Sequence, residues 1–193
     1  MTLTKKEIRK EILAQRKALD EETVSLASQV ICRKLMSIES YEEAEDLCLY
    51  MPYNNEVDVM LLADIAIEQG KKVWVPKVIK KADGSDAGDM VFNRYLGADG
   101  GSVTEGAYSI RESTSDEILK PDDKTLVIMP GAVFTPWRDR IGYGGGFYDK
   151  FLAEHPMCHT IGVCYDLQMV DELPVQEHDQ KPEYVVCESG IYR

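Results

Sequence analysis

Four of the five residues from Gly142 to Gly146 are glycine, with Arg138 and Arg140 just before the run and Asp149 just after it. Dense glycine lets a backbone approach a phosphate closely, and amide N–H groups at a following helix start favour anions. The two arginines add charge-assisted donors at the rim. The run is not a P-loop, since G-x-x-x-x-G-K-[ST] fits nowhere in it, and it narrowly misses G-x-G-x-x-G because Phe147 stands where the third glycine belongs. A carboxylate such as Asp149 beside a polyphosphate is repulsive unless a cation lies between them, and Mg²⁺ takes one or two carboxylates together with phosphate oxygens and water. An aspartate at a helix start also suits the helix dipole with no metal at all. The residues alone leave both readings open.

A second basic cluster, Lys5, Lys6 and Arg9, sits in the first turns of the first predicted helix. Cations there oppose the helix dipole at a cost of roughly 0.3–1 kcal/mol each, so they suit either a solvated basic face or a bound anion. Brought next to the glycine run, they would complete a two-sided phosphate clamp.

Several elements must position these groups. Thr4-Lys5-Lys6-Glu7 is a capping box, with Leu3 and Ile8 at the staple positions, and Ile8, Ile12 and Leu19 continue the apolar stripe. Asp20 starts a second amphipathic helix through Val24, Ala27, Ile31, Leu35 and Ile38. Leu47 to Met51 is predicted as a buried strand. Val57 to Gln69 is predicted as a helix stopped by Gly70. Val73 to Val75 is a short strand ended by Pro76, Lys80 to Asp89 a loop, Met90 to Tyr95 a strand and Gly97 to Gly106 a loop. Leu126 to Met129 is a strand ended by Pro130-Gly131, and Phe147 to Glu154 a helix. Ile161 to Tyr165 and Tyr184 to Cys187 are late strands. Alternation of this kind predicts a single α/β domain over residues 1–193, with a central, mainly parallel sheet flanked by helices.

Composition narrows the partners. The 193 residues are 44% hydrophobic and carry a net charge of −12, a field that repels nucleic acid and anionic lipid. Anionic small ligands are repelled too, except where basic groups or a metal are concentrated locally. No apolar run approaches the roughly 20 residues of a membrane helix, and the basic N-terminus lacks the apolar stretch of a signal peptide. The cysteines (Cys32, Cys48, Cys158, Cys164, Cys187) are scattered, with no CxxC pair, and read as buried reduced thiols of a cytoplasmic protein. His155 and His159 flank Pro156 and Cys158 in a superficially zinc-like spacing, which the proline spoils for a regular helical pair.

Pro130-Gly131, Phe134 and the run Arg140-Ile141-Gly142-Tyr143-Gly144-Gly145-Gly146-Phe147-Tyr148-Asp149 resemble the signature of the 5-formyltetrahydrofolate cyclo-ligase (methenyltetrahydrofolate synthetase) family. The Lys5-to-Arg9 start, Glu56-Val57-Asp58, Val75-Pro76-Lys77-Val78, Leu173-Pro174-Val175 and His178-Asp179 agree with it across almost the whole chain. The resemblance implies ATP- and Mg²⁺-dependent conversion of 5-formyltetrahydrofolate, with or without a polyglutamate tail, to 5,10-methenyltetrahydrofolate. It implies ATP contacts from Lys5, Lys6, Glu7, Ile8 and Arg9 and from Arg140, Ile141, Gly142, Tyr143, Gly144, Gly145, Gly146, Phe147 and Tyr148, with Lys5, Arg9 and Arg140 stabilising charge. It implies Mg²⁺ on Asp149 and Asp179, and folate contacts from Met51, Glu56, Tyr143, Gly144, Gly145, Gly146 and Phe147, with Tyr108 near a stacking aromatic that some members supply as tryptophan. The chain departs from many members at Thr135, where they carry aspartate, and at Phe147, where they carry tyrosine. Loss of that phenol removes a hydrogen bond and keeps the stacking face.

The chemistry expected of these residues is activation of a formamide, whose carbon resists attack by N10. Transfer of the γ-phosphoryl group to the formyl oxygen turns that oxygen into a phosphate leaving group. Competing readings of the residues are a sugar-phosphate or acyl-CoA enzyme, which binds phosphate without ATP turnover, and a non-catalytic folate- or nucleotide-binding protein.

Overall fold

Thr4 opens the first helix as its sequence predicts. In the computed structural model of the chain, which describes residues 4–80, 86–97, 103–105, 111–174 and 179–193, the Glu7 N–H donates to Thr4 Oγ1 at 3.3 Å and the Thr4 N–H to Glu7 Oε2 at 2.9 Å. Helix α1 spans Lys5–Lys17; Leu3, the other half of the staple, lies outside the described residues. Helix α2 (Glu21–Met36) begins on Asp20, whose carboxylate accepts from the Thr23 N–H at 2.8 Å. A short helix α3 (Glu39–Glu43) leads into the sheet.

The strands are β1 (Asp46–Cys48), β2 (Lys72–Lys80), β3 (Asp86–Tyr95), β6 (Thr125–Met129), β9 (His159–Val163), β10 (Tyr184–Val186) and β11 (Ile191–Tyr192). They form one seven-stranded sheet in the order β11-β10-β9-β6-β1-β2-β3. The pairs from β10 through β9, β6 and β1 to β2 are parallel, and only the outer strands β11 and β3 run antiparallel to their neighbours. The mainly parallel sheet is therefore as expected. Two small antiparallel pairs lie outside it: β4 (Val103–Glu105) with β5 (Arg111–Ser113), and the hairpin of β7 (Val133–Phe134) with β8 (Arg140–Ile141).

Fully buried parallel strands read as continuous apolar runs because helices cover both faces. In β6, Leu126 and Ile128 join the larger core with Ile31, Leu35, Leu47 and Leu49, while Val127 and Met129 face Trp74, Phe92, Phe151 and Leu152 on the other side. Helix α5 spans Phe147–Glu154 as predicted and supplies Phe151 and Leu152 to that second face.

Several boundaries differ from the sequence reading. Regular pairing in β1 stops at Cys48 rather than Met51, although Leu49, Tyr50 and Met51 stay buried. The helix expected over Val57 to Gln69 begins as a 3₁₀ turn at Val59–Leu62 and becomes α4 only at Ala63–Glu68; Gly70 follows with φ +83°. Pro76 does not end β2. The Leu49 N–H donates to the Trp74 carbonyl at 2.9 Å, and the next rung needs the N–H of residue 76, which proline lacks. The proline thus ends the β1–β2 ladder while β2 continues to pair with β3 on its other side. That pairing also takes Lys80 and Asp86 to Asp89 into strand, where a loop was expected, and β4 lies within the expected loop from Gly97 to Gly106. The last parallel strands end slightly early, at Val163 and Val186.

Phe134, on β7, is 0% exposed and packs with Cys164, Val185 and Cys187. Its ring lies so close over Gly131 and Gly162 that an added methyl would stand 2.5 and 2.6 Å from it. It therefore fastens the hairpin to the sheet. Phe134→Ala is expected to lower the unfolding free energy by about 3–5 kcal/mol, as aromatic truncation in a close-packed core does, measured by chemical denaturation; a loss below about 1 kcal/mol would remove it from this role.

Candidate active site

Ligands of open parallel sheets bind beyond the carboxyl ends of the strands where the chain switches direction across the sheet. Here β1 lies between β2 and β6. The chain leaves β1 for β2 on one side and later returns to β6 on the other, so the switch point lies between β1 and β6. Glu56 follows β1 and the glycine loop follows β6, which puts both at that crevice.

Helix α1 grips this region from above. Ile8, Ile12 and Leu13 pack with Ala132, Val133 and Ile141 of the hairpin. That packing delivers Arg9, whose Nε donates to the Gly142 carbonyl at 2.8 Å. Two turns further on, Arg16 Nη1 donates to the Tyr143 hydroxyl at 2.6 Å and Arg16 Nε to the Asn54 carbonyl at 3.1 Å. Asn55 closes the end of α1 by donating to the Leu19 carbonyl at 2.9 Å. Asn54 and Asn55 both adopt left-handed φ, +49° and +56°, which turns the chain so that Glu56 points inward. Asparagine is the side chain that tolerates this conformation best after glycine.

Glu56 is 7% exposed. Its Oε2 accepts from the Tyr53 N–H at 2.9 Å, and its Oε1 accepts a short hydrogen bond from the Tyr143 hydroxyl. Burial raises its pKa above the ordinary value, while Tyr143, Arg16 and the Tyr53 amide pull it back down. The Tyr143 ring is 45% exposed, yet its hydroxyl end is enclosed by Arg16, Glu56 and the Gly131 carbonyl. Burial and the neighbouring carboxylate push its phenol well above the usual range. It stays protonated and donates.

The loop itself needs its glycines. Gly144 and Gly146 have φ +105° and +69°, a region costly for residues with a Cβ, and Gly146 is the residue from which α5 starts. The Phe147 ring packs against Gly145, where an added methyl would meet it at 2.6 Å.

Arg140 is 7% exposed and lies behind the loop rather than at its rim. Its Nη1 donates to the Pro130 carbonyl at 3.2 Å and its Nη2 to Asp149 Oδ1 at 2.8 Å. Its buried Nε has no hydrogen-bond partner among the described residues. Asp149 Oδ1 also accepts from the Gln180 N–H at 3.1 Å, and the adjacent Asp179 accepts from Lys5 Nζ at 2.5 Å. Asp149 is thus brought to the segment that carries Asp179 from a distant part of the chain, and each carboxylate pairs with a basic residue expected at phosphate. Two hard carboxylates beside the glycine loop are oxygen donors of the type Mg²⁺ takes.

The other expected contacts divide. Lys6 is exposed on α1, and Glu7 spends its carboxylate on the Thr4 cap. Ile8 and Ile141 pack against each other's elements, and Met51 is buried after β1. Tyr148 turns toward the sheet, with its ring edge on Phe92 at 6.4 Å between centroids and its hydroxyl buried. Tyr108 and His178 lie outside the described residues. Thr135 organises the hairpin turn: its Oγ1 accepts from the Asp139 N–H at 3.0 Å. His159 pairs with Glu183 at 2.9 Å and His155 lies against the Phe151 ring at 4.7 Å, so the two histidines serve different neighbours. All five cysteines are free and buried. No helix among the described residues is long and apolar enough to cross a membrane.

Sequence reasoning missed Arg16, which is 3% exposed. Its signal was present: it continues the four-residue spacing of Ile8 and Ile12 onto the buried face of α1, where a charge is expected only if it is paired.

Residues 1–188 match the family model described as "5-formyltetrahydrofolate cyclo-ligase family". The chain belongs to the 5-formyltetrahydrofolate cyclo-ligase family. It is 26% identical over 211 residues to the probable 5-formyltetrahydrofolate cyclo-ligase of Schizosaccharomyces pombe, covering 100% of this chain and 99% of that protein. It is 26% identical over 185 residues to the 5-formyltetrahydrofolate cyclo-ligase of Escherichia coli K12, covering 94% and 98%. The NMR structure of the Aquifex aeolicus 5,10-methenyltetrahydrofolate synthetase superposes with a TM-score of 0.82 at 27% identity, over 99% of this chain and 93% of that one. A Mycoplasma pneumoniae synthetase shares the fold, with a TM-score of 0.74 at 23% identity over 96% and 99%. The expected family and α/β fold are both met. This cyclo-ligase family member is an enzyme of folate one-carbon chemistry, and the names of its relatives support 5-formyltetrahydrofolate cyclo-ligase activity.

Proposed function

We propose that the whole chain works as one cyclo-ligase domain. It uses ATP and Mg²⁺ to convert 5-formyltetrahydrofolate to 5,10-methenyltetrahydrofolate, releasing ADP and phosphate. The observation that carries this reading is the contact of the Tyr143 hydroxyl with Glu56 at the switch point. It joins the anion-binding loop to a buried carboxylate able to accept from a pterin edge, so a nucleotide and a pterin would meet there.

In this reading the glycine-loop amides, Lys5 and Arg9 surround the γ-phosphoryl group, and Arg140 adds its positive charge from behind the loop, beside Asp149, as the group passes to the formyl oxygen. Asp149 and Asp179 hold Mg²⁺, which supplies charge neutralisation on the phosphate oxygens. Glu56 accepts from the pterin amino and ring N–H groups. N10 then attacks the formyl carbon, the carbon–oxygen bond breaks, phosphate leaves and N10 loses its proton. Phe147 offers a flat face to the aminobenzoyl ring. Beyond it, a cleft of about 410 Å³ is floored by Met90, Phe92, Leu119 and Phe151. Lys120 and Lys150 line it together with Asp89, which pairs with Lys150, and Glu154, so its polar lining is of mixed charge.

A coupled assay tests the reading: protein, 5-formyltetrahydrofolate, ATP and Mg²⁺, with methenyltetrahydrofolate absorbance and ADP followed together. Equimolar formation of both is expected; ADP without folate product would point to a different acceptor. Arg9→Ala removes a cation and the grip on Gly142 together. It is expected to raise the KM for ATP by about 10–100-fold, the loss of one charge-assisted contact at about 1.4 kcal/mol per decade, and an unchanged KM would take Arg9 out of the ATP site.

A further inference from the structure

Arg16 has no part in phosphate or pterin recognition as described so far. It is nonetheless the most deeply buried arginine at the crevice, and it makes three separate contacts there. Its Nη1 lies 2.6 Å from the Tyr143 hydroxyl and 3.9 Å from Glu56 Oε1, and its Nε is 3.1 Å from the Asn54 carbonyl. The hydroxyl of Tyr143 therefore accepts a hydrogen bond from a cation and donates one to a carboxylate. Burying a guanidinium is strongly unfavourable unless a counter-charge and hydrogen-bond acceptors meet it. A purely structural anchor for the end of α1 would not need a charge, because Asn55 already closes that end.

We propose that Arg16 is the positioning residue of the pterin half of the site: it holds the Tyr143 hydroxyl on Glu56 and supplies the cation that faces that carboxylate at the crevice. Arg16 acts through Tyr143 and Glu56 and touches neither ATP nor folate. Arg9 and Arg16, two turns apart on α1, hold successive residues of the glycine loop, Gly142 and Tyr143. The helix thereby ties the loop's position to the charge state of Glu56. The groups facing Glu56 are Arg16 from α1, Tyr143 from the glycine loop, Tyr50 from the segment after β1 and Tyr148 from α5. Arg16 is the only cation among these four. Burial already raises the Glu56 pKa, so loss of the cation moves it further in the same direction.

This inference rests on the cyclo-ligase reading for its consequence but not for its first test. The first test is an NMR pH titration of the ligand-free protein labelled with ¹³C at glutamate carboxyl carbons, with the Glu56 signal identified by its absence in Glu56→Gln. In Arg16→Gln the Glu56 midpoint is expected to rise by about 1–3 pH units, the effect of removing an opposite charge at this range, and in Arg16→Lys to return at least half-way. An unmoved midpoint overturns the proposal, whatever reaction the protein performs. The second test is steady-state kinetics against pH. Arg16→Gln is expected to raise the KM for 5-formyltetrahydrofolate by about tenfold or more at the acid end of the profile and progressively less as pH rises, because Glu56 must be ionised to accept from the pterin. A uniform loss of active protein with an unchanged folate KM and pH profile would make Arg16 a structural residue only. If Arg16→Gln does not fold, Tyr143→Phe serves instead. It removes the hydroxyl between the two charges and is expected to raise both the Glu56 midpoint and the folate KM; wild-type values for both overturn the proposal. Failure of the wild-type enzyme to cyclise would remove the folate reading, leaving the ligand-free titration to judge Arg16.

Discussion

Asp149→Asn is expected to lower kcat/KM on the order of 10³-fold, about 4 kcal/mol of transition-state stabilisation, while costing only about 1–3 kcal/mol of stability. The two effects separate because of what asparagine keeps. It is isosteric and retains one carbonyl oxygen, so it can still accept from Arg140 Nη2 or from the Gln180 N–H, which aspartate serves through the same Oδ1. It cannot supply a hard anionic ligand, and it leaves the buried Arg140 charge without its carboxylate. In the proposed reaction that guanidinium and the metal act on the same phosphoryl group, so one substitution weakens both. The measurement is kcat/KM across a Mg²⁺ titration, alongside a denaturation curve. A wild-type rate with wild-type Mg²⁺ dependence would exclude Asp149 from the metal. A large stability loss with proportionate loss of activity would make the Arg140–Asp149 pair a structural brace only.

The same pair shows what a sequence can and cannot say about such a site. Features specified within a few residues were legible. Thr4 and Asp20 cap helices that start where their side chains say, and α5 spans Phe147–Glu154 because the glycines before it disfavour helix, Gly146 taking left-handed φ, while its own apolar spacing favours it. The glycine loop, Asp149 and the N-terminal cations were likewise visible as residue types. Their partners were not. Lys5 meets Asp179 across the length of the chain and Glu56 meets Tyr143 from beyond another strand, and no local pattern encodes a contact that topology alone creates. Pro76 misled for a related reason. Proline forbids one ladder rung, and whether that ends a strand depends on which neighbour lies on the N–H side. Arg16 sat in plain view on the apolar face of α1, but a buried arginine is interpretable only once its carboxylate is known.

Glu56→Gln is the sharpest test of the pterin half of the site. A carboxylate offers acceptors only, matching a pterin edge that presents an amino group and a ring N–H. Glutamine replaces one acceptor with a donor and removes the charge, so one pterin hydrogen is left facing another. The folate kcat/KM is expected to fall on the order of 10³-fold, about 4 kcal/mol, typical of truncating one side of a desolvated charged hydrogen bond. The KM for ATP should stay within about threefold, because no phosphate contact is proposed for Glu56. The substitution also strands Arg16, 3% exposed, without its counter-charge, and a stability loss of about 3 kcal/mol or more is expected. Removing both charges should then be better tolerated than removing either. In a double-mutant cycle Arg16→Gln and Glu56→Gln together should recover about 1–3 kcal/mol relative to the sum of the single losses. Additive losses would mean that the two side chains, 3.9 Å apart across the Tyr143 hydroxyl, do not act as a unit. An unchanged folate KM in Glu56→Gln would place the pterin elsewhere.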